Sequence, residues 1–219
     1  MRSSGILMHI TSLPGAYGVG TMGKQAFAFV DFLKEAGQTY WQVLPLTPTG
    51  YGDSPYQSCC SFAGNPYLID LDLLIKDGLL KKSEVKDIDW CWSETKADFG
   101  RLYNNRSGVL RKAFARFKDT DESFAKFRAE NDSWLPDFAL FMALKGKYSG
   151  KAWYEWDEDL KFRKKKAISA ASRELQTRSS STASCSIWST SSGTRCVHTQ
   201  MTTASRLSAM CPFMCPSIP

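Results

Sequence analysis

The stretch that decides the fold runs from Gly5 to Leu46 and reads GILMHITSLPGAYGVGTMGKQAFAFVDFLKEAGQTYWQVLPL. Its two ends, Gly5–Ile10 and Tyr40–Leu46, are short apolar runs of the kind that form buried strands. Between them, residues 23–36 carry apolar side chains at helical spacing, and a glycine follows as a helix stop. A strand, a helix and a strand in this order form a βαβ unit with parallel strands and a right-handed crossover. The sequence therefore predicts an α/β protein.

A long loop follows the second strand, from Thr47 to Pro66, and reads TPTGYGDSPYQSCCSFAGNP. Loops of this length inside a compact domain are usually functional or disordered, and the aromatic and small polar residues favour function. In a parallel sheet or barrel, such a loop leaves the carboxyl end of a strand, where ligands bind. We therefore expect the ligand site here, within a first segment that spans residues 1–75.

Beyond this segment the pattern becomes helical. Residues 106–130 and 134–147 each show apolar positions at helical spacing. This predicts a helical insertion over 76–160, followed by the start of a return helix over 161–176.

Composition limits the class of protein. Apolar residues make up 43% and charged residues 23%, which is ordinary for a globular protein. No apolar run reaches the ~18 residues of a membrane span, and no secretory signal is recognisable. The net charge of +6 comes from scattered Lys and Arg, so it does not indicate nucleic-acid binding. Seven cysteines, with Cys59 and Cys60 adjacent, fit a reducing cytoplasm better than a disulfide framework.

The composition changes abruptly at the tail, residues 177–219. All 22 acidic residues precede it, and 18 of its 43 residues are Ser or Thr. Three interpretations compete: a disordered extension, a metal-binding tail and a shifted reading frame. The spacings of the possible metal ligands match no zinc module. Those ligands would be Cys196, His198, Cys211 and Cys215.

The shifted frame can be examined on paper. Codons for residues 177–193 can be chosen so that reading one base earlier gives DEEQFYSFLQYLVYKQW, an amphipathic helix. The remainder then reads DEVRAHANDHGIKIIGDVPIYVPFDS, in which KIIGDVPIYV is an apolar strand. Much of this is a choice among synonymous codons, but Met followed by Cys must give Val in the earlier frame. This occurs at Met210–Cys211 and Met214–Cys215. We therefore favour a frame change, with the tail as written unstructured.

Three segments carry a family likeness. GILMHITSLPG at 5–15 and AGQTYWQVLPLTPTGYGDSPYQSCCSFAGNPYLIDLDLL at 36–74 resemble the amino-terminal part of the 4-alpha-glucanotransferases, glycoside hydrolase family 77. DFALFMALK at 137–145 is similar to a later family segment. The resemblance implies a (β/α)8 TIM barrel with a helical insertion, of which this chain would hold an incomplete, amino-terminal part.

The resemblance also implies an activity. Family members, the amylomaltases or disproportionating enzymes, transfer alpha-1,4-glucan segments between maltooligosaccharides by a retaining double displacement, without cofactor or metal. The implied partner is a maltooligosaccharide or alpha-1,4-glucan, not a membrane. The two catalytic carboxylates of the family lie in segments beyond the matched region, so no residue of this chain is predicted to be catalytic.

Five loop residues are the candidate substrate contacts. By resemblance, Tyr56 packs on the sugar next to the scissile bond, although a tyrosine could also fill the barrel mouth. Ser54 matches a position near the donor sugar, or is a turn residue. Tyr51 matches an aromatic linked to a secondary glucan contact, or packs within the loop. Asp53 bonds more readily to loop amides than to a catalytic partner, and Asn65 is more often a turn former than a ligand.

Rival interpretations remain at this point. The chain as written would be inactive without the carboxylates, and would bind glucan weakly or fail to fold. Two or three strands of an eight-stranded barrel leave strand edges open. A basic Ser/Thr-rich tail could instead recruit an anionic partner through salt-sensitive binding. His9, a lone histidine in an apolar run, is predicted to be a hydrogen-bonded core residue.

Overall fold

The computed structural model describes residues 4–50, 52–91, 96–117, 122–186, 188 and 208–209. The chain divides into two compact units. The first unit comprises residues 1–117 and 188–219, and the second comprises residues 118–187.

The first unit contains the predicted βαβ arrangement. Strand β1 spans Gly5–Leu7, helix α1 spans Lys24–Glu35 and strand β2 spans Tyr40–Gln42. The two strands are parallel, with Ile6 opposite Trp41. The predicted order and direction of these elements are confirmed.

Both strands are shorter than the apolar runs that predicted them. One further ladder bond, from Met8 N to Gln42 O at 3.0 Å, extends past β1. The chain then enters a 3-10 turn at Ile10–Ser12, which ends the extended conformation. Beyond β2, Pro45 has no N–H to donate to a ladder. The prediction of a buried first strand was wrong, because Ile6 and Leu7 are 38% and 58% exposed in β1, whereas Trp41 is buried in β2.

The core of this unit lies between α1 and the strands. Ala26, Val30 and Leu33 recur at helical spacing on α1 and are at most 4% exposed. They pack with Trp41, whose Nε1 donates to the Met8 carbonyl at 2.7 Å. This packing fixes the helix over the sheet and so fixes where the loop after β2 begins.

A third strand joins the sheet from the far end of the chain. Strand β3, Ser208–Ala209, pairs in parallel with β2, so the sheet order is β1-β2-β3. This position falls within the apolar strand that the earlier reading frame would encode. Trp188, also assigned to this unit, makes an edge-to-face contact with Phe117 at 5.7 Å between ring centroids.

Three helices complete the first unit: α2 Leu71–Lys76, α3 Ser83–Lys86 and α4 Phe99–Arg116. The prediction of one helix over 106–130 was wrong, because α4 ends at Arg116 and Phe117 is extended (φ −69°, ψ 129°). The unit boundary at 117 also lies beyond the predicted segment limit at 75, since α4 belongs with the βαβ unit. No helix of the described residues is long and apolar enough to cross a membrane.

The second unit is helical. The predicted helix over 134–147 is confirmed, and its buried face packs with Trp156, Ala171 and Leu175. The helices of this unit are α5 Glu122–Glu130, α6 Leu135–Lys147, α7 Glu158–Lys161, α8 Lys165–Glu174 and α9, residues 176–186.

Helix α9 differs from the expectation of an unstructured tail from residue 177. Two of its hydroxyl groups donate to carbonyls four residues earlier, Thr182 to Arg178 O (3.2 Å) and Ser184 to Ser180 O (3.0 Å), whereas the buried Ser179 Oγ has no partner among the described residues. Hydroxyl-rich composition therefore did not prevent helix formation. The four possible metal ligands of the tail lie outside the described residues.

Candidate functional site

The loop from Thr47 to Pro66 is closed at its base. Asn65 N donates to the Leu46 carbonyl at 2.8 Å, which ties the end of the loop to the segment that follows β2. Asn65 is 4% exposed, and its Oδ1 accepts from Tyr67 N at 2.9 Å, capping the 3-10 turn Pro66–Leu68. This is the turn-forming role that the sequence offered as an alternative to ligand binding.

The tip of the loop contains two consecutive left-handed residues. Gly52 has φ +80° and Asp53 has φ +56°, and Asp53 N donates to the Gly50 carbonyl at 3.3 Å. Asp53 is a non-glycine residue in this region, where Asp is tolerated better than most. Burial raises the pKa of its carboxyl group above the usual value. Among the described residues, no amide donates to that carboxylate, so the predicted bonding to loop amides is not found.

A second turn follows directly and presents Tyr56. Gln57 N donates to the Ser54 carbonyl at 3.1 Å, and Tyr56 N donates to Ser54 Oγ at 3.3 Å. Ser54 thus has the turn role, with its hydroxyl facing the backbone of the candidate aromatic. The Tyr56 side chain is 65% exposed, so in this chain it projects from the loop and does not fill a cavity. Tyr51 lies outside the described residues.

Two nearby carboxylates are held by structural contacts. Asp70 Oδ2 accepts from the Thr21 hydroxyl at 2.6 Å, and Oδ1 accepts from Leu73 N at 2.9 Å to cap α2. Asp72 accepts from the Tyr17 hydroxyl, and burial together with this bond raises the pKa of Tyr17. A retaining glycosidase pair needs two carboxyls about 5 Å apart facing the substrate. The described loop offers Asp53 but no partner for it.

A buried arginine supports the end of the loop, and sequence analysis missed it. Arg106 on α4 is 1% exposed and donates to the carbonyls of Tyr67 (3.1 Å) and Ile69. Its guanidinium lies over the Trp90 ring at 5.9 Å. Burial raises the pKa of Tyr67, and the nearby Asp53 carboxylate adds to the rise. The available signal was a lone arginine on the apolar face of α4, between Leu102 and Val109 at helical spacing.

His9 follows β1, and Cys59 and Cys60 lie in the loop. Burial lowers the pKa of His9, and its buried Nδ1 has no hydrogen-bond partner among the described residues, contrary to the predicted core hydrogen bond. Cys59 is exposed and Cys60 is partly buried. The described part of the chain contains no group of three or more His, Cys, Asp or Glu residues able to hold a metal ion.

The geometry is that of a segment of an α/β barrel, with an aromatic loop following a parallel strand. The amylomaltase from Streptococcus agalactiae in complex with acarbose is similar to this chain with a TM-score of 0.88 and 37% identity. The match covers 94% of this chain and 42% of that one. The fold is therefore the amino-terminal part of a (β/α)8 barrel of the amylomaltase type, as the sequence predicted.

The family follows from the sequence comparisons. A family model described as 4-alpha-glucanotransferase matches residues 8–199. The 4-alpha-glucanotransferase of Clostridium butyricum is 49% identical over 170 residues, covering 77% of this chain and 35% of that protein. The Thermus thermophilus 4-alpha-glucanotransferase is 49% identical over 179 residues, covering 80% of this chain and 35% of that protein. The chain belongs to the 4-alpha-glucanotransferase family, glycoside hydrolase family 77, and spans about a third of the length of these relatives.

Proposed function

We propose that this chain is the sugar-positioning part of an enzyme that transfers alpha-1,4-glucan segments between maltooligosaccharides. The observation that carries the proposal is the family match over residues 8–199, which includes a loop with an exposed tyrosine after a parallel strand. Loops at the carboxyl ends of barrel strands form the active sites of this fold.

Tyr56 is the residue that we assign to substrate contact. The apolar face of a pyranose can lie on an aromatic ring, and the Tyr56 ring is 65% exposed at the loop surface. The turn bonds through Ser54 and the left-handed Asp53 hold the backbone on which the ring is mounted. A platform held by its own turn loses little conformational freedom when sugar binds.

The reaction itself needs a pair of carboxyl groups that the described residues do not bring together. In a retaining transfer, one carboxylate attacks the anomeric carbon while a carboxylic acid protonates the leaving oxygen. A sugar hydroxyl then displaces the enzyme carboxylate and receives the glucan. Asp53 has no partner among the described residues of the loop. We infer that the carboxylates belong to parts of the family enzyme that this chain does not span, and that no cofactor is required.

The second candidate is an inactive fragment with weak glucan binding. In this alternative, as in the first, Asp70 and Asp72 serve structural hydrogen bonds. Both candidates keep the sugar platform and neither gives turnover by this chain alone, so glucan binding is the property that tests the platform.

Calorimetric titration of the chain with maltoheptaose tests the platform. Tyr56→Ala is expected to weaken binding about tenfold, which is the ~1.4 kcal/mol of a lost aromatic contact. Phe62→Ala is the matched control, since Phe62 lies in the same loop and is 64% exposed. Its affinity should stay within about twofold of the unsubstituted chain. Equal affinities of the two variants would refute the assignment of Tyr56.

We further propose that the enzyme acts in the cytoplasm on maltodextrin or glycogen-derived chains. Free thiols at Cys60 and Cys91 support a reducing compartment.

A further inference from the structure

A cavity of about 330 Å³ opens in the second unit, formed only by residues outside the loop. This volume is at the lower end of the range for small-ligand sites. Its apolar wall comes from α6 and α8 and from the 3-10 turn Trp153–Glu155 with the residue that follows it. The apolar wall includes Leu140, Phe141, Trp153, Trp156 and Ile168.

The two indoles of this cavity differ in their surroundings. Trp156 is 8% exposed and packs against Phe141 at 5.5 Å and Tyr148 at 5.6 Å between ring centroids, so it forms the floor. Trp153 is 53% exposed at the same cavity. A half-exposed indole beside a concave surface is a platform for a flat, partly apolar ligand.

A polar pair lies at the rim. One nitrogen of the Arg163 guanidinium donates to both carboxylate oxygens of Asp137, at 2.9 and 3.0 Å. Both side chains are about 65% exposed, so the pair adds little to folding stability. The ion pair uses one of the three guanidinium nitrogens of Arg163, so the other two can donate to a ligand while the carboxylate oxygens of Asp137 can accept from it. Neighbouring hydroxyls of a pyranose can donate to the carboxylate and accept from the guanidinium.

The turn at Arg163 ends α7 and fixes the backbone that carries this side chain. Arg163 has φ +52°, in the left-handed region that favours glycine. Its N–H donates to the Leu160 carbonyl and Lys164 N to the Asp159 carbonyl, so the turn holds that conformation. This is the usual left-handed conformation at the end of a helix, and it fixes the position from which the Arg163 side chain reaches the rim.

We propose that this groove binds a glucopyranose unit of an alpha-1,4-glucan, with the apolar face of the ring on Trp153 and its hydroxyls on the Arg163–Asp137 pair. The choice of a glucan as ligand rests on the proposed function. The groove would hold a part of the polymer that does not react and so raise the local concentration of substrate.

Titration with maltoheptaose in the Tyr56→Ala background isolates the groove. Adding Trp153→Ala or Arg163→Gly should weaken the remaining affinity at least fivefold or so. Arg163→Gly should keep an unfolding temperature close to that of its parent, since glycine relieves the left-handed strain. Phe32→Ala is the control, because Phe32 is 57% exposed on α1 in the first unit, and it should leave the affinity unchanged.

The outcomes separate this inference from the proposed function. Unchanged affinity in both Trp153→Ala and Arg163→Gly, with circular dichroism showing intact helices, would overturn the groove. If Trp153→Ala removes binding while Tyr56→Ala alone has no effect, the groove stands and the loop platform fails. If only Tyr56→Ala weakens binding, the loop platform stands and the groove fails.

Discussion

Replacing Arg106 by leucine perturbs the support of the substrate loop without touching the loop itself. The buried guanidinium donates to the carbonyls of Tyr67 and Ile69, in the segment that directly follows the loop. Leucine fits the apolar face of α4 but donates no hydrogen bond. The substitution therefore leaves two carbonyls in the interior without this donor.

The size of the effect follows from these contacts. A hydrogen bond to a charged group contributes roughly 1.5–3 kcal/mol, and a buried acceptor that loses its donor costs about 1–3 kcal/mol. Leucine regains part of this through its apolar contacts. We expect the free energy of unfolding to fall by about 3 kcal/mol, a large share of the ~5–15 kcal/mol of a typical domain.

Urea unfolding followed by circular dichroism measures this loss. Arg111→Leu is the matched control, because Arg111 is an exposed residue on the same helix. It should change the free energy of unfolding by about 0.5 kcal/mol or less. If Arg106→Leu and Arg111→Leu unfold at the same urea concentration, the two carbonyl contacts do not hold the segment and the reasoning fails.

Three further predictions concern other parts of the chain. Gly23→Ala should lower the free energy of unfolding in urea by about 1–3 kcal/mol, because the added Cβ would collide with the Asp70 carboxylate. Gly108→Ala, inside α4, has open space around the added Cβ and should raise the free energy of unfolding by about 0.5–1 kcal/mol. The pKa of Glu84 falls from 4.5 to about 2, because its carboxylate accepts hydrogen bonds from Arg116 on α4 and from the backbone N–H of Lys81. The difference in melting temperature between the unsubstituted chain and Glu84→Gln should therefore persist above pH 4.5 and disappear as the pH falls towards 2. A difference that stays constant with pH would show that the ion pair of Glu84 with Arg116 does not stabilise the fold. Resequencing the codons for residues 170–181 and onward should find an inserted or missing base, and an unaltered sequence would refute the frame change.

Local patterns predicted the elements whose partners are close in sequence. The helix over 23–36 and the strands on either side of it follow from apolar spacing, because α1 packs on the two strands that flank it. The turn role of Asn65 followed from its position before a proline. The loop was selected by its length and composition, and the structure places it after β2.

The features that the sequence did not predict depend on contacts and backbone conformations that the spacing of residue types does not reveal. The helical period continued through residue 117, and only the extended conformation of Phe117 ends α4. From sequence alone, Arg106 is expected to be a surface charge. It is buried because the fold brings it to the carbonyls of Tyr67 and Ile69, which are more than thirty residues away in the chain. The Ser/Thr content of α9 suggested disorder, since side-chain bonding to helix carbonyls is not visible in composition.

The most direct test of the central claim is glucose release from maltotriose, measured for this chain and for the full-length Clostridium butyricum 4-alpha-glucanotransferase. We expect no release by this chain above a blank. In the full-length relative, replacing the residue aligned with Tyr56 by alanine should cause a strong loss of transfer. Glucose release by the 219-residue chain, or undiminished transfer in that variant, would contradict the account.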